Sequence, residues 1–363
     1  MLEPTIVTQA NKRTAAPAPG PAVSVIVPAR NEEASIARCL ESLTTQDGIE
    51  YEIIVLDDHS TDETPRIAQT FATVTVLSAP TLPPGWTGKC HACWAGARVA
   101  RGRWLLFTDA DTVHAPGSLC RAVETAIRHE AALLSYSPEQ ELQGLWQRAV
   151  MPLIFAELAA TYRPRDVSDA HQAAAAANGQ YLLISREAYD AIGGHAAVAS
   201  SVLEDVEIAR LVKAGGRRIL FRYGGGEVRT RMYRGVQDMI DGWTKNLFLL
   251  FPQPEQLARR LIVEFFTLAG AAVAILVSLV ISSVWLLVIA MLAAFLAASR
   301  LFRRVARAHF DLLSTAISPV GLPVFAYLLR RSRIHHVKGN VTWKGRSYDP
   351  RPESKRATAV GQH

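Results

Sequence analysis

The chain has 363 residues, 49% of them hydrophobic, with a formal net charge of +6. That length fits one larger domain with an appendage, or two domains. The charge is uneven: residues 300–363 hold 13 Lys and Arg against 3 acidic residues. This basic stretch follows an apolar run directly, which favours a lipid surface over nucleic acid as its partner.

Residues 1–22 are rich in Ala, Pro, Thr and Gly and lack an apolar signal-peptide core. They read as a disordered leader. "VSVIVPA" (23–29) is a short β-branched run that reads as a buried parallel strand. A helix is expected over "NEEASIARCLESL", where Ile36, Leu40 and Leu43 recur at helical spacing. "YEIIVLDD" (51–58) reads as a second strand, and Ser60 and Glu63 as a capping box opening the next helix. "VTVL" (74–77) is a third strand, "GKCHACWAGARVA" a helix and "RWLLFTD" a fourth strand. Strands alternating with helices in this way imply a doubly wound α/β domain.

Further on, "LWQRAVMPLIFAELAATYR" suits a membrane surface or an acceptor groove. "GQYLLISREAYDAIGG" reads as strand, helix and Gly-Gly turn, and "SVLEDVEIARLVKAGG" as an acid-headed helix. "RRILFRYG" and "EVRTRMY" look like strands. Residues 234–260 read as an amphipathic helix at a membrane interface. From Leu261 to Ser299 the only charged residue is Glu264. That run is too long for one span of about 20 residues, so a two-span hairpin turning near Ser278 to Ser283 is expected. The apolar run 312–329 contains Pro319 and Pro323. As a full span it would separate two Arg clusters that the positive-inside rule keeps together. A re-entrant or interfacial segment followed by a cytoplasmic tail avoids that conflict. Cys90 and Cys93 lack a second ligand pair for zinc and read as ordinary thiols.

In open α/β sheets ligands bind at the carboxyl ends of the strands. Three polar clusters fall there: Arg30, Asn31 and Glu32; Asp57 and Asp58; Asp109 and Asp111. Three readings compete for them. "DADTV" fits the nucleophile motif of haloacid-dehalogenase-type phosphatases, but that motif ends a first strand and this one ends a fourth. A membrane-anchored module with structural loop acids would leave the clusters and "LEDVE" as coincidences. Sugar transfer uses them all. Carboxylates hold a divalent cation that neutralises a departing diphosphate, and another carboxylate takes the acceptor proton. A carboxylate at a helix start, such as Asp205, would be held as the anion by the helix dipole.

The ordered set "VSVIVPARNEE", "EIIVLDDHSTDET", "FTDADT", "NGQYLLI" and "LEDVEIARLVKAGG" resembles the family 2 glycosyltransferases, from about Val23 to Lys245. The resemblance implies a GT-A nucleotide-diphospho-sugar transferase fold over 23–233, an α/β domain with a doubly wound mixed sheet, followed by C-terminal membrane helices. It implies Pro28, Ala29, Glu32 and Asp58 at the nucleotide, Asp109 at the ribose and metal, and Asp111 as main ligand of Mn²⁺ or Mg²⁺. Asp205 becomes the general base, with Glu204 as its acidic neighbour. Lys89 is expected to reach the donor phosphate or the acceptor, Arg234 and Lys245 the donor diphosphate, and His195 and Trp243 the acceptor. "LPPGWTGK", "AIGGH", "GWTKNLF" and "VTWKGRSYDP" resemble membrane-bound enzymes that glycosylate isoprenoid lipids, such as carotenoid and hopanoid-associated glycosyltransferases. One departure stands out: processive relatives carry Q-x-x-R-W, whereas here Arg234 and Trp243 lie far apart, which argues for one transfer per acceptor.

The expectation is an inverting hexosyltransferase with UDP-glucose as donor and a membrane lipid hydroxyl as acceptor. It would be a multi-pass protein of a bacterial-type cell membrane with its catalytic domain in the cytoplasm. A glycan or lipid-phosphate acceptor is the alternative.

Overall fold

The computed structural model describes residues 20–339, 341–343 and 346–348. Most of the expected leader and the tail motif "VTWKGRSYDP" lie wholly or partly outside the described residues. Twelve strands are assigned among the described residues: β1 (Val23–Ala29), β2 (Tyr51–Asp57), β3 (Val74–Ser78), β4 (Trp104–Phe107), β5 (Thr112–His114), β6 (Leu133–Ser137), β7 (Glu139–Gln140), β8 (Leu182–Ser185), β9 (Ile219–Tyr223), β10 (Val228–Thr230), β11 (Val341–Trp343) and β12 (Arg346–Tyr348). The α-helices are α1 (Ile36–Thr44), α2 (Thr64–Gln69), α3 (Gly88–Val99), α4 (Ser118–Arg128), α5 (Gly144–Thr161), α6 (Pro164–Ser168), α7 (Arg186–Ala191), α8 (Glu204–Ala214), α9 (Val236–Leu250), α10 (Pro254–Val280), α11 (Val284–Val305) and α12 (Leu312–Lys338).

The main sheet has seven strands in the order β3-β2-β1-β4-β8-β6-β9. The first four are parallel, as their continuous apolar runs require. β8 is antiparallel to both β4 and β6, so the sheet is mixed. One apolar face packs on α3 and α8 and the other on α1 and α4. A three-stranded sheet, β5-β10-β7, sits beside it. β10 falls within the strand expected over "EVRTRMY", whereas β5, β7 and α4 come from stretches for which the apolar pattern set no expectation.

Several boundaries differ from the sequence reading. The capping box is not formed. Ser60 Oγ instead accepts from the Asn31 amide at 3.0 Å, and α2 starts four residues later, after Glu63. The α1 helix starts only at Ile36, because Asn31 has a positive φ of 53°. The expected interface helix 234–260 is two helices, broken around Pro252. The α9 face carrying Met239, Trp243 and Leu247 is buried inside the protein rather than turned to a bilayer.

The hairpin is formed by α10 and α11, turning at Ile281–Ser283 where expected. At 1.5 Å per residue, α10's 27 residues span about 40 Å, enough for a hydrocarbon core of about 30 Å. Three helices are long and apolar enough to cross a membrane: α10, α11 with its short extension, and α12. A re-entrant turn in the last of these does not occur: α12 runs unbroken through Pro319 and Pro323. It also differs from the hairpin in burial. In its most apolar stretch 44% of residues are buried, against 17% for α10 and 11% for α11. Gly321 explains the close approach: a Cβ there would lie 2.1 Å from the Ala149 carbonyl oxygen of α5.

Candidate active site

The site lies at the carboxyl ends of β1, β2 and β4. Ala110 is 1% exposed and packs with the core, and Asp109 and Asp111 on either side line a cavity above it. Side chains pin this loop. Thr108 Oγ donates to the Gln180 carbonyl at 2.8 Å, and Thr112 Oγ to the Asp109 carbonyl at 2.8 Å.

A cavity of about 260 Å³ opens above the loop, lined by Pro28, Ala29, Glu32, Asp58, Lys89, Asp109, Asp111, Glu204, Asp205 and Lys245, among others. Ten residues singled out from the sequence thus share one wall. Arg234 does not line it; its guanidinium lies 3.8 Å from Glu32 at the periphery. Burial pulls the Lys245 ammonium below its ordinary pKa.

Lys89 sits in the first turn of α3, a helix started by Thr87, whose hydroxyl accepts from the Cys90 amide at 3.2 Å. A lysine at a helix N-terminus opposes the helix dipole. Here two carboxylates offset that cost: Lys89 Nζ lies 2.8 Å from Asp109 and 3.0 Å from Glu204. Burial lowers its pKa, but these two carboxylates overcome burial and hold it well above the usual lysine range. Lys89 is thus a cationic partner of Asp109.

Asp205 opens α8. Its Oδ2 accepts from the Gly179 amide at 2.7 Å and its Oδ1 from the Val206 amide at 2.8 Å. The sequence reading made it a firmly ionised carboxylate, and the structure corrects this. Burial, and next the charge of Glu204, push Asp205 up to about 7, more than the lysine and two amides pull it down. Its neighbour Glu204 is 6% exposed and engages Lys89. Gly179 was missed as an individual residue, although its motif "NGQYLLI" was noted. A Cβ there would lie 2.7 Å from Lys89 Nζ, so only glycine lets the amide reach Asp205 without displacing the lysine.

Asp205 also borders a second, larger cavity of about 530 Å³, walled by Phe155, Leu158, Tyr162, Trp243, Leu250 and Phe310. Trp243 is 3% exposed, and its indole N–H donates to Met151 Sδ at 3.2 Å. His195 reaches neither cavity. It is 2% exposed, bonded through Nδ1 to the Tyr189 hydroxyl at 2.9 Å and packed edge-on against Phe107. Burial, helped by Lys89, lowers its pKa to about 3. It is a neutral structural histidine, not an acceptor contact. The four cysteines are free, and burial pushes the Cys90 thiol up to about 12, as expected of inert thiols.

No group of three or more His, Cys, Asp or Glu residues among those described forms a ready-made metal cage. The donor chemistry does fit a cation arriving with its substrate. Two hard carboxylates, Asp109 and Asp111, face one cavity, and Mg²⁺-type ions are held by one or two carboxylates plus substrate phosphates.

Comparison with known proteins bears on the family and the fold. Residues 24–193 match the model of the glycosyl transferase family 2. The chain is 30% identical over 234 residues to 4,4'-diaponeurosporenoate glycosyltransferase of Staphylococcus aureus strain USA300, covering 62% of this chain. The protein of that name from strain MRSA252 is 29% identical over 231 residues, again covering 62% of this chain. The chain spans 60% of the length of these curated relatives. Among solved structures, the mannosyltransferase PcManGT from Pyrobaculum calidifontis, in complex with GDP-Man and Mn2+, superposes with a TM-score of 0.51 at 19% identity. The match covers 89% of this chain and 90% of that one, which supports the fold. Glu204 and Asp205 lie beyond the family match, in α8. Residues 24–193 thus match a glycosyl transferase family 2 model, and the mixed α/β sheet to which they contribute is consistent with the GT-A fold.

Proposed function

We propose that this chain is an inverting glycosyltransferase. It moves a hexose from a nucleoside-diphosphate sugar to a hydroxyl of an apolar membrane lipid. The observation that carries the reading is Asp205, which borders both the charged cavity and the apolar one. The names of the relatives support a carotenoid-type acceptor. UDP-glucose is the expected donor.

The nucleotide end of the donor lies against Pro28, Ala29, Glu32 and Asp58, and the diphosphate lies toward Asp109, Asp111, Lys89 and Lys245. Asp109 and Asp111 would hold a divalent cation, which supplies neutralisation of charge on the leaving diphosphate. Asp205 takes the proton from the acceptor hydroxyl as its oxygen attacks the anomeric carbon. The anomeric C–O bond to the diphosphate breaks, and the nucleoside diphosphate leaves with that electron pair. A base near pH 7 in pKa is well matched to this step. The amide of Gly179 holds its carboxylate in place, and Lys89 balances the surrounding acids.

For the membrane, the reading is a two-span hairpin of α10 and α11 with α12 lying along the interface. Both ends of α12 are tied to the catalytic half. Asp311 pairs with Arg148 of α5 at 3.1 Å, and Arg331 donates to Thr244 of α9 at 3.1 Å. A helix leaving through the bilayer would not keep both ends on one body. Its outward face carries Leu313, Val320, Tyr327 and Ile334, seven residues apart, a face suited to lipid. This keeps Arg300–Arg307 and Arg330–Arg333 on one side, the cytoplasmic one.

The test is nucleoside diphosphate release from sugar nucleotides with Mn²⁺ and a lipid extract, comparing wild type with Asp205→Asn and Asp111→Ala. Release that needs lipid and is lost in both variants is expected. Wild-type turnover in both variants would refute the assignment of the site.

A further inference from the structure

The second cavity has a wall that the transfer reaction does not require. It is closed on one side by the connection from the membrane hairpin to α12: Arg307, Ala308, His309, Phe310 and Asp311. Its inner end is Asp205, Asn178 and Leu203, shared with the donor cavity. Arg307 and Arg163, both exposed, stand among its lining residues. The first lies two residues past the end of α11, where a spanning helix meets the head groups. The cavity therefore runs from the base to the root of the membrane anchor. Its flank between these ends is apolar, from Phe155, Leu158 and Trp243.

We infer, on the basis of the function proposed above, that this cavity is a sleeve for a single-chain lipid alcohol. The chain enters from the bilayer past Arg163 and Arg307 and presents its hydroxyl to Asp205. Three observations carry this. The wall is continuous with the anchor, so a lipid reaches it without crossing water. The volume of about 530 Å³ lies in the range that encloses one drug-sized molecule, which suits one chain and not a two-chain glycerolipid. Two exposed arginines, Arg163 and Arg307, stand among the lining residues and complement anionic head groups.

Ala159 of α5 lines the sleeve and is only partly buried, so a larger side chain there fills the cavity without entering the core. The experiment measures transfer by the full-length protein to a short water-soluble alcohol, a long isoprenoid alcohol and a diacylglycerol. Donor affinity is measured in parallel. In Ala159→Trp the ratio of long-chain to short-chain kcat/KM is expected to fall about tenfold or more, with donor affinity kept. In wild type the long alcohol is expected to outcompete diacylglycerol. Leu158→Ala serves as a second variant, expected to shift preference toward bulkier chains. Arg307→Glu is expected to lower the ratio of transfer in anionic vesicles to transfer in detergent. An unchanged long-to-short ratio in Ala159→Trp and in Leu158→Ala would overturn the sleeve, as would a preference of the wild type for diacylglycerol. An unchanged vesicle-to-detergent ratio in Arg307→Glu would overturn entry from the bilayer. These results differ from failure of the proposed function itself, in which the wild type transfers sugar to none of the three alcohols.

Discussion

The two cavities that meet at Asp205 are built from opposite materials. The donor side is crowded with charge: Glu32, Asp58, Lys89, Asp109, Asp111, Glu204 and Lys245 share its wall. The acceptor side is walled by aromatic and aliphatic side chains of α5, α9 and the α11–α12 connection. On the proposed function, the contrast divides the binding energy: charge and a divalent cation would act on the diphosphate, and apolar burial on the lipid. It also explains the raised pKa of Asp205. A carboxylate at the edge of an apolar cavity, beside a second acid, loses the solvation that would keep it ionised.

The largest effect expected from breaking this boundary is that of Asp205→Asn. It should reduce transfer by about 10²–10⁴-fold while donor binding, followed by calorimetry, persists. The wild-type rate should rise with pH up to a plateau, with its midpoint near 7, because only the ionised carboxylate accepts a proton. Stability should show the opposite sign. The folded pKa lies above the unfolded value near 3.8, so ionising Asp205 in the fold costs stability as pH rises through that interval. Asp205→Asn should therefore raise the melting temperature more at pH 8 than at pH 5.

Next in size is Asp111→Ala. It acts on the donor side alone and should weaken divalent-dependent turnover by roughly 10²-fold. Titrating Mn²⁺ against activity checks this, and an unaltered metal dependence would remove Asp111 as a ligand. Lys89→Met lies across the boundary. It strips the cation from Asp109 and Glu204, and after allowance for solvent its loss should cost about 1–2 kcal/mol of stability. The midpoint of the pH–rate profile should also move upward, since Lys89 favours the ionised form of Asp205.

Gly321→Val probes the support beneath the acceptor cavity. A side chain there collides with the Ala149 carbonyl of α5, at a cost of about 1–3 kcal/mol. Thermal unfolding in detergent measures it, and donor affinity should stay put. The smallest catalytic effect belongs to His195→Gln. Stability should fall through loss of the bond to Tyr189, but the KM for acceptor should not change. A rise in that KM would return His195 to the acceptor site.

Much of the charged cavity was legible from sequence. The strand runs end at their acids, and a parallel sheet brings strand ends to one edge, so Asp58 and Asp109 had to converge. The boundaries that failed did so for local reasons. Ser60 was read as a cap, but its hydroxyl is engaged by the Asn31 amide of a neighbouring loop. His195 follows a glycine pair and looks available, yet Tyr189 is positioned six residues earlier to hold it. On the membrane half, the hairpin was legible because α10 and α11 expose apolar side chains on nearly all sides. For α12 the positive-inside rule left a re-entrant or an interfacial segment open; that it runs as one unbroken helix through both prolines, packed on α5, came only from the fold.

By itself the sequence determined the elements whose signal is local: parallel strands, their terminal acids, the acid pair opening α8 and the length of the membrane run. Tertiary structure alone decided which charges meet. Asp109, Lys89 and Glu204 are scattered along the chain and joined only by the fold. The same is true of the apolar cavity, whose walls come from α5, α9 and the end of the hairpin. Periodicity reports which face of an element is buried, but not which other element will cover it. The pKa of Asp205 follows from that second fact, since solvation and neighbouring charge belong to the assembled site and not to the residue.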